Sequence, residues 1–240
     1  MNNQNGIIQI DDDFCEMDTM QYAKSFMFIK GYAVGKELNQ TLIALSVARR
    51  LHDGQYRKDG TPYICHPLKV CSTLISFRID DDVTLAAALL HDVLEDCEDR
   101  LPHGAKELSE TYGISDEVIH IVELLTKRSG LDDHELGLYF KKISRNPRAS
   151  LIKLSDRMHN SSTVYNLSAV KMKKYLRETE IYLIPLGSYC KKYYPEYGEA
   201  FNVMKNSIAS MNRIMKIMLE KQEKEKISPE NADGDTQRVS

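Results

Sequence analysis

Three short stretches hold most of the side chains that could do chemistry. In LAAALLHDVLED, residues 85–96, an apolar run ends in His91, Asp92, Glu95 and Asp96. Read as one helix, residues four apart share a face, so Glu95 lies one turn beyond His91 and Asp96 one turn beyond Asp92. An imidazole and three carboxylates crowded there carry a high desolvation cost unless a cation neutralises them. A divalent metal meets that need; a helix end with solvated acids and a satisfied histidine is the bland alternative. In LIKLSDRMHNSST, residues 151–163, Asp156, Asn160 and Thr163 recur at i, i+4 and i+7. Their carboxylate, amide and hydroxyl form a stripe that suits a ligand, although an exposed polar stripe would read the same. In QYRKDGTPYICHP, residues 55–67, Arg57 and Lys58 precede a turn, and His66 opens the next helix with Pro67 at a position that tolerates proline. Basic pairs in loops are usually solvated. Beside a metal they become a phosphate clamp, because a guanidinium binds phosphate bidentately.

His66, His91, Asp92 and Asp156 make a mixed nitrogen and oxygen donor set without thiolate, which argues against a structural zinc site. Manganese, iron and zinc all suit such a set. Four protein ligands on an octahedral ion leave about two positions for water and substrate. The five cysteines have an odd count and no CxxC pair, so they read as reduced packing residues of a cytosolic protein.

These groups need a scaffold, and the periodicity supplies helices. Apolar spacing predicts them near 36–52, 66–77, 81–96, 115–126, 132–144, 148–167 and 169–187. Asp80 to Asp82 can cap the third, and Ser115 with Asp116 and Glu117 starts the fourth. No useful strand alternation occurs, so the fold class is all-α: a single compact helical bundle over 14–220. Residues 1–13 read as a flexible arm, and 221–240 as a disordered polar tail. Phe201, Met204, Ile208, Met211, Met215 and Met218 form an apolar seam on a last helix. It either docks onto the body or pairs two copies as a homodimer. A formal net charge of −3 gives no bulk attraction to nucleic acid or an anionic membrane. The longest apolar run is far short of the roughly 20 residues of a membrane span, and the N-terminus has no secretory pattern.

In combination, HDGQYRKDGTPYICHPLKV at 52–70, TLAAALLHDVLED at 84–96 and LIKLSDRMHNSSTV at 151–164 resemble the HD hydrolase domain of the RelA/SpoT family. The likeness is to its small stand-alone form, the metazoan SpoT-homologue type. ETEIYLIPLGS at 178–188 adds a weaker match. The resemblance implies an HD-domain helical bundle with His66, His91, Asp92 and Asp156 as metal ligands and Mn²⁺ as the usual ion. Glu95 and Asp96 match the pair that handles the attacking water and its proton. Arg57 and Lys58 match the basic pair at the nucleotide site, and Asn160 and Thr163 match residues around the sugar and phosphates. The implied reaction removes the 3′-pyrophosphate of the guanine alarmones ppGpp and pppGpp, giving GDP or GTP in the cytoplasm. Asp59, where relatives often carry a small hydroxyl residue, and Ser161-Ser162 depart from the pattern near the nucleotide pocket. Other substrates therefore stay open, an adenine alarmone or the 2′-phosphate of NADPH, as does a nucleotide sensor without activity.

Overall fold

Two adjacent aspartates organise the helix that carries the histidine–aspartate pair. Asp81 is its N-cap and accepts the Thr84 N–H at 2.9 Å. Asp82 turns the other way, to the start of a second helix, and accepts the Gln40 and Thr41 N–H groups at 2.9 and 2.7 Å. One dipeptide thus satisfies the amides of two helices that pack together. A computed structural model of the chain describes residues 19–162 and 168–227. Its helices are α1 (Thr19–Gly35), α2 (Asn39–Leu51), α3 (Cys65–Ser76), α4 (Asp82–Leu90), α5 (Val93–Asp96), α6 (Ala105–Glu110), α7 (Asp116–Leu125) and α8 (Asp133–Ile143). They continue with α9 (Pro147–Ser161), α10 (Ala169–Glu178), α11 (Ile184–Tyr193) and α12 (Gly198–Ile227). The fold is all-α. Among the described residues the only strand-like feature is one isolated bridge, Tyr56 to Pro62. The chain divides into two compact units, Met1–Glu135 and Leu136–Ser240.

In the first unit α4 is the central helix, packed against α2, α3 and α7. Residues 85–90 are apolar and wholly buried, as expected of a helix hydrophobic all round. Each buried leucine there contributes about 1.5–3 kcal/mol, so α4 anchors the site at its C-terminal end firmly. The helix expected over 81–96 is broken at that end. His91 and Asp92 form a turn between α4 and α5, and the Glu95 and Asp96 N–H groups both bond to the Asp92 carbonyl. The reason is local: His91 Nδ1 bonds back to the Ala88 carbonyl at 2.8 Å, and the chain re-initiates from Asp92. Helix α1 escaped the periodicity because it shows apolar groups all round. Phe26, Ile29 and Ala33 are buried, whereas Met27, Phe28 and Val34 are about half exposed on other faces.

The second unit is built on α9, whose Asn146 cap accepts the Ala149 N–H at 3.0 Å ahead of Pro147. The helix expected over 169–187 is interrupted by a π-turn at Thr179–Leu183, just before Pro185. Proline cannot donate to the preceding turn and its ring crowds that turn's carbonyl; the wider π-turn absorbs both. Helix α12 lays Phe201, Met204, Ile208, Asn212, Met215 and Leu219 inward. The unit's α9, α10 and α11 cover this face. The apolar seam is therefore occupied within the chain, rotated slightly so that Asn212 and Leu219 stand where Met211 and Met218 were expected. Helix α12 continues to Ile227, past Glu220 where the tail was expected to begin, because Glu, Lys and Gln are good helix formers. The arm 1–13 and residues 228–240 lie outside the described residues.

At Gly187 a Cβ would stand 2.8 Å from Lys205 Cβ and 3.6 Å from Leu154 Cδ1. Glycine lets α11 and α12 approach at that point. Gly187→Ala is expected to destabilise the chain by about 1–3 kcal/mol, the usual cost of overpacking, read as a lowered midpoint in urea.

Candidate metal centre

The ligand atoms come from the start of α3 and the end of α4. His66 and His91 are buried, 2% and 3% exposed, and Asp92 joins them from the turn after α4. His66 Nε2 lies 3.1 Å from His91 Nε2. The two Asp92 carboxylate oxygens lie 3.3 Å from one ring nitrogen each. One ligand atom from each of the three residues falls within 4.8 Å of the others.

This arrangement fits a cation. A carbonyl only accepts, so the hydrogen in the His91 Nδ1 bond to Ala88 sits on Nδ1, and in the neutral ring Nε2 is a bare lone pair. That lone pair faces a second imidazole nitrogen and a carboxylate. Backbone-fixed imidazoles of this kind are common metal ligands. Two nitrogens each about 2.1 Å from one ion and at right angles lie roughly 3 Å apart, close to the observed separation. The donor set of imidazole and carboxylate suits a divalent ion such as manganese, iron or zinc. The described cysteines, Cys65, Cys71, Cys97 and Cys190, are free thiols. Burial pushes Cys97 and Cys190 up to about 11, so neither offers a thiolate near neutral pH.

Glu95 and Asp96 are exposed on α5, and Glu95 Oε1 accepts the Lys127 N–H. Arg57 and Lys58 sit in the loop between α2 and α3, half-buried and exposed respectively. The Arg57 N–H bonds to the Thr61 carbonyl at 2.8 Å, and its carbonyl accepts the Gly60 N–H at 3.0 Å. Gly60 has φ +82°, which only glycine adopts without strain. Asp59 caps the same turn by accepting from Thr61 N at 3.0 Å and from the Thr61 hydroxyl, and these bonds hold its carboxyl below the usual range. The unusual residue at 59 is thus used to build the loop.

Asp156 lies on α9, in the second unit, and is 7% exposed. Its Oδ2 accepts from Lys153 Nζ at 3.1 Å and its Oδ1 from Asn160 Nδ2. Asp156 and Asn160 are therefore neighbours on one helical face, as their spacing predicts. Thr163 lies outside the described residues.

Sequence reasoning gave no role to Tyr63, His52 or Gln55. The Tyr63 hydroxyl donates to Asp92 Oδ2 at 2.8 Å and also reaches Asp96 Oδ2. Its ring stacks on His52, with centroids 4.7 Å apart and planes at 22°. Burial holds the His52 imidazole below its usual range, so it is neutral, and its Nδ1 bonds to Gln55 Oε1 at 2.8 Å. All three residues stand inside the motif that contains His66. That was the available signal.

Residues 44–186 match the protein family described as HD domain. That stretch contains all four expected ligands and runs through both units. Among curated proteins the chain is similar to the GTP pyrophosphokinase of Streptomyces coelicolor, 39% identical over 155 residues, covering 60% of this chain and 17% of that protein. It is 38% identical over 145 residues to the guanosine-3′,5′-bis(diphosphate) 3′-pyrophosphohydrolase of Haemophilus influenzae, covering 57% and 20%. It is 37% identical over 161 residues to the bifunctional (p)ppGpp synthase/hydrolase SpoT of Escherichia coli K12, covering 64% and 22%. The chain thus spans about a fifth of the length of these relatives. Among the described residues no helix is long and apolar enough to cross a membrane.

Proposed function

The chain belongs to the HD-domain family, and on that premise we propose that it is a pyrophosphohydrolase that removes the 3′-pyrophosphate of ppGpp or pppGpp. The carrying observation is the convergence of His66, His91 and Asp92, with Glu95 and Asp96 hydrogen-bonded back to the Asp92 carbonyl within one turn. The relatives named for this hydrolysis, 38% and 37% identical, support the choice of substrate. The sequence resemblance adds Asp156 as a fourth ligand, Mn²⁺ as the ion and the cytoplasm as the setting.

In the proposed reaction water attacks the phosphorus bonded to the ribose 3′ oxygen. That P–O bond breaks, pyrophosphate departs with the new oxygen, and the 3′ oxygen leaves as a hydroxyl of GDP or GTP. A bound divalent ion supplies a Lewis acid for a phosphoryl oxygen and acidifies a water. Glu95, oriented by the Lys127 N–H, takes the proton from the attacking water. Asp96 holds the proton that the 3′ oxygen requires. Arg57 and Lys58 offer guanidinium and ammonium to the phosphates. Asn160 and Thr163 position the sugar.

The test is incubation of the purified chain with ppGpp, pppGpp, ppApp and NADPH, with Mn²⁺ and with chelator. The expected products from ppGpp are GDP and pyrophosphate, lost with chelator and restored by Mn²⁺. Release of phosphate from NADPH alone would overturn the substrate. No turnover of any of the four with metal loaded would overturn the enzyme.

A further inference from the structure

We propose that Tyr63 is a positioning residue whose single hydroxyl ties the metal ligand Asp92 to the proton-handling Asp96, with His52 and Gln55 holding it in place. This rests on the proposed hydrolase reading for the role of Asp96, and on the metal centre alone for the role of Asp92. The phenol oxygen is 2.8 Å from Asp92 Oδ2 and within hydrogen-bonding reach of Asp96 Oδ2. A phenol carries one hydrogen and donates to one carboxylate at a time. Bonded to Asp92 Oδ2, the hydroxyl fixes that carboxylate toward the two ring nitrogens, and its contact with Asp96 Oδ2 fixes where α5 presents the second carboxylate. Tyr63 thereby couples the orientation of Asp96 to that of Asp92.

The loop grips α5 independently of that hydroxyl. The Tyr63 N–H bonds to the Gln55 carbonyl at 2.8 Å. Gln55 Nε2 donates to the Asp96 carbonyl at 2.8 Å, and its Oε1 takes the His52 hydrogen. The His52 ring, 2% exposed, forms the floor on which Tyr63 lies.

Tyr63→Phe removes the hydroxyl and keeps the stack. Titration of the metal-stripped chain with Mn²⁺ by calorimetry is expected to show affinity lowered about 10–100-fold, as for other partners of metal ligands. With metal saturating, kcat on ppGpp should fall about tenfold or more while KM stays near the wild-type value. Gln55→Met, which keeps the phenol and loses the grip on α5, should lower kcat in the same direction by less and leave metal affinity near wild type; an affinity lowered about 10-fold or more in this variant would overturn the assignment of the Asp92 link to the hydroxyl. Wild-type metal affinity and kcat in Tyr63→Phe would overturn the proposal while an active wild type leaves the hydrolase reading intact. A wild type inactive on all nucleotides overturns that reading instead, and an unchanged Mn²⁺ isotherm in Tyr63→Phe would then still overturn the link to Asp92.

Discussion

Asp92→Ala is expected to abolish metal binding and hydrolysis together, with activity falling by about 10³-fold or more. The magnitude follows from the several kcal/mol that a bound ion contributes to stabilising charge on a phosphoryl group, each 1.36 kcal/mol being about tenfold in rate. The argument rests on geometry. Asp92 is the only residue of the cluster with an oxygen near each buried ring nitrogen, at 3.3 Å in both cases. Its removal leaves two imidazoles without the carboxylate that completes the donor set. Misfolding is separable from this loss. The metal-free variant should still unfold cooperatively, because α4 is anchored by its wholly buried residues 85–90. Mn²⁺ should raise the melting temperature of the wild type and leave the variant unchanged. A variant that still gains stability from Mn²⁺ would show that the ion binds elsewhere.

Glu95→Gln is the second large effect, and it should separate chemistry from metal binding. Glu95 is outside the ligand cluster, and its carboxylate is held by the Lys127 N–H. The amide keeps the size of the side chain and an oxygen for that hydrogen bond, but accepts no proton from water. Turnover should fall about 10²–10⁴-fold, the range for loss of a positioned base, with Mn²⁺ affinity within a few-fold of wild type. Single-turnover measurements with ppGpp and a parallel Mn²⁺ titration separate the two. Full activity in Glu95→Gln would assign the proton transfer to another group.

The residues of the site were more legible than their arrangement. Histidine and aspartate at the end of an all-apolar helix are costly without a cation, and that cost is visible in the sequence around residues 85–92. Caps were legible for the same kind of reason. Asp81 and Ser115 precede apolar periods and do accept from Thr84 and Val118. The break between α4 and α5 was not legible. It depends on which ring nitrogen of His91 finds the Ala88 carbonyl, and residue spacing is silent on that choice. The reading of residues 81–96 as one continuous helix face was therefore replaced by a turn, although the proximity of Asp92, Glu95 and Asp96 survived. Tyr63 was hidden because its position depends on a loop folding back on itself through Gln55 and His52. Its neighbours in sequence give no periodic signal. The seam of α12 was legible as an apolar stripe, yet its occupant was set by tertiary packing against α9, α10 and α11.

The most direct test of the metal centre is a crystal grown with Mn²⁺ and measured on both sides of the manganese absorption edge. The account predicts an anomalous peak bonded to His66 Nε2, His91 Nε2 and an Asp92 oxygen, lost in Asp92→Ala. A peak at other residues, or none at saturating Mn²⁺, would contradict it.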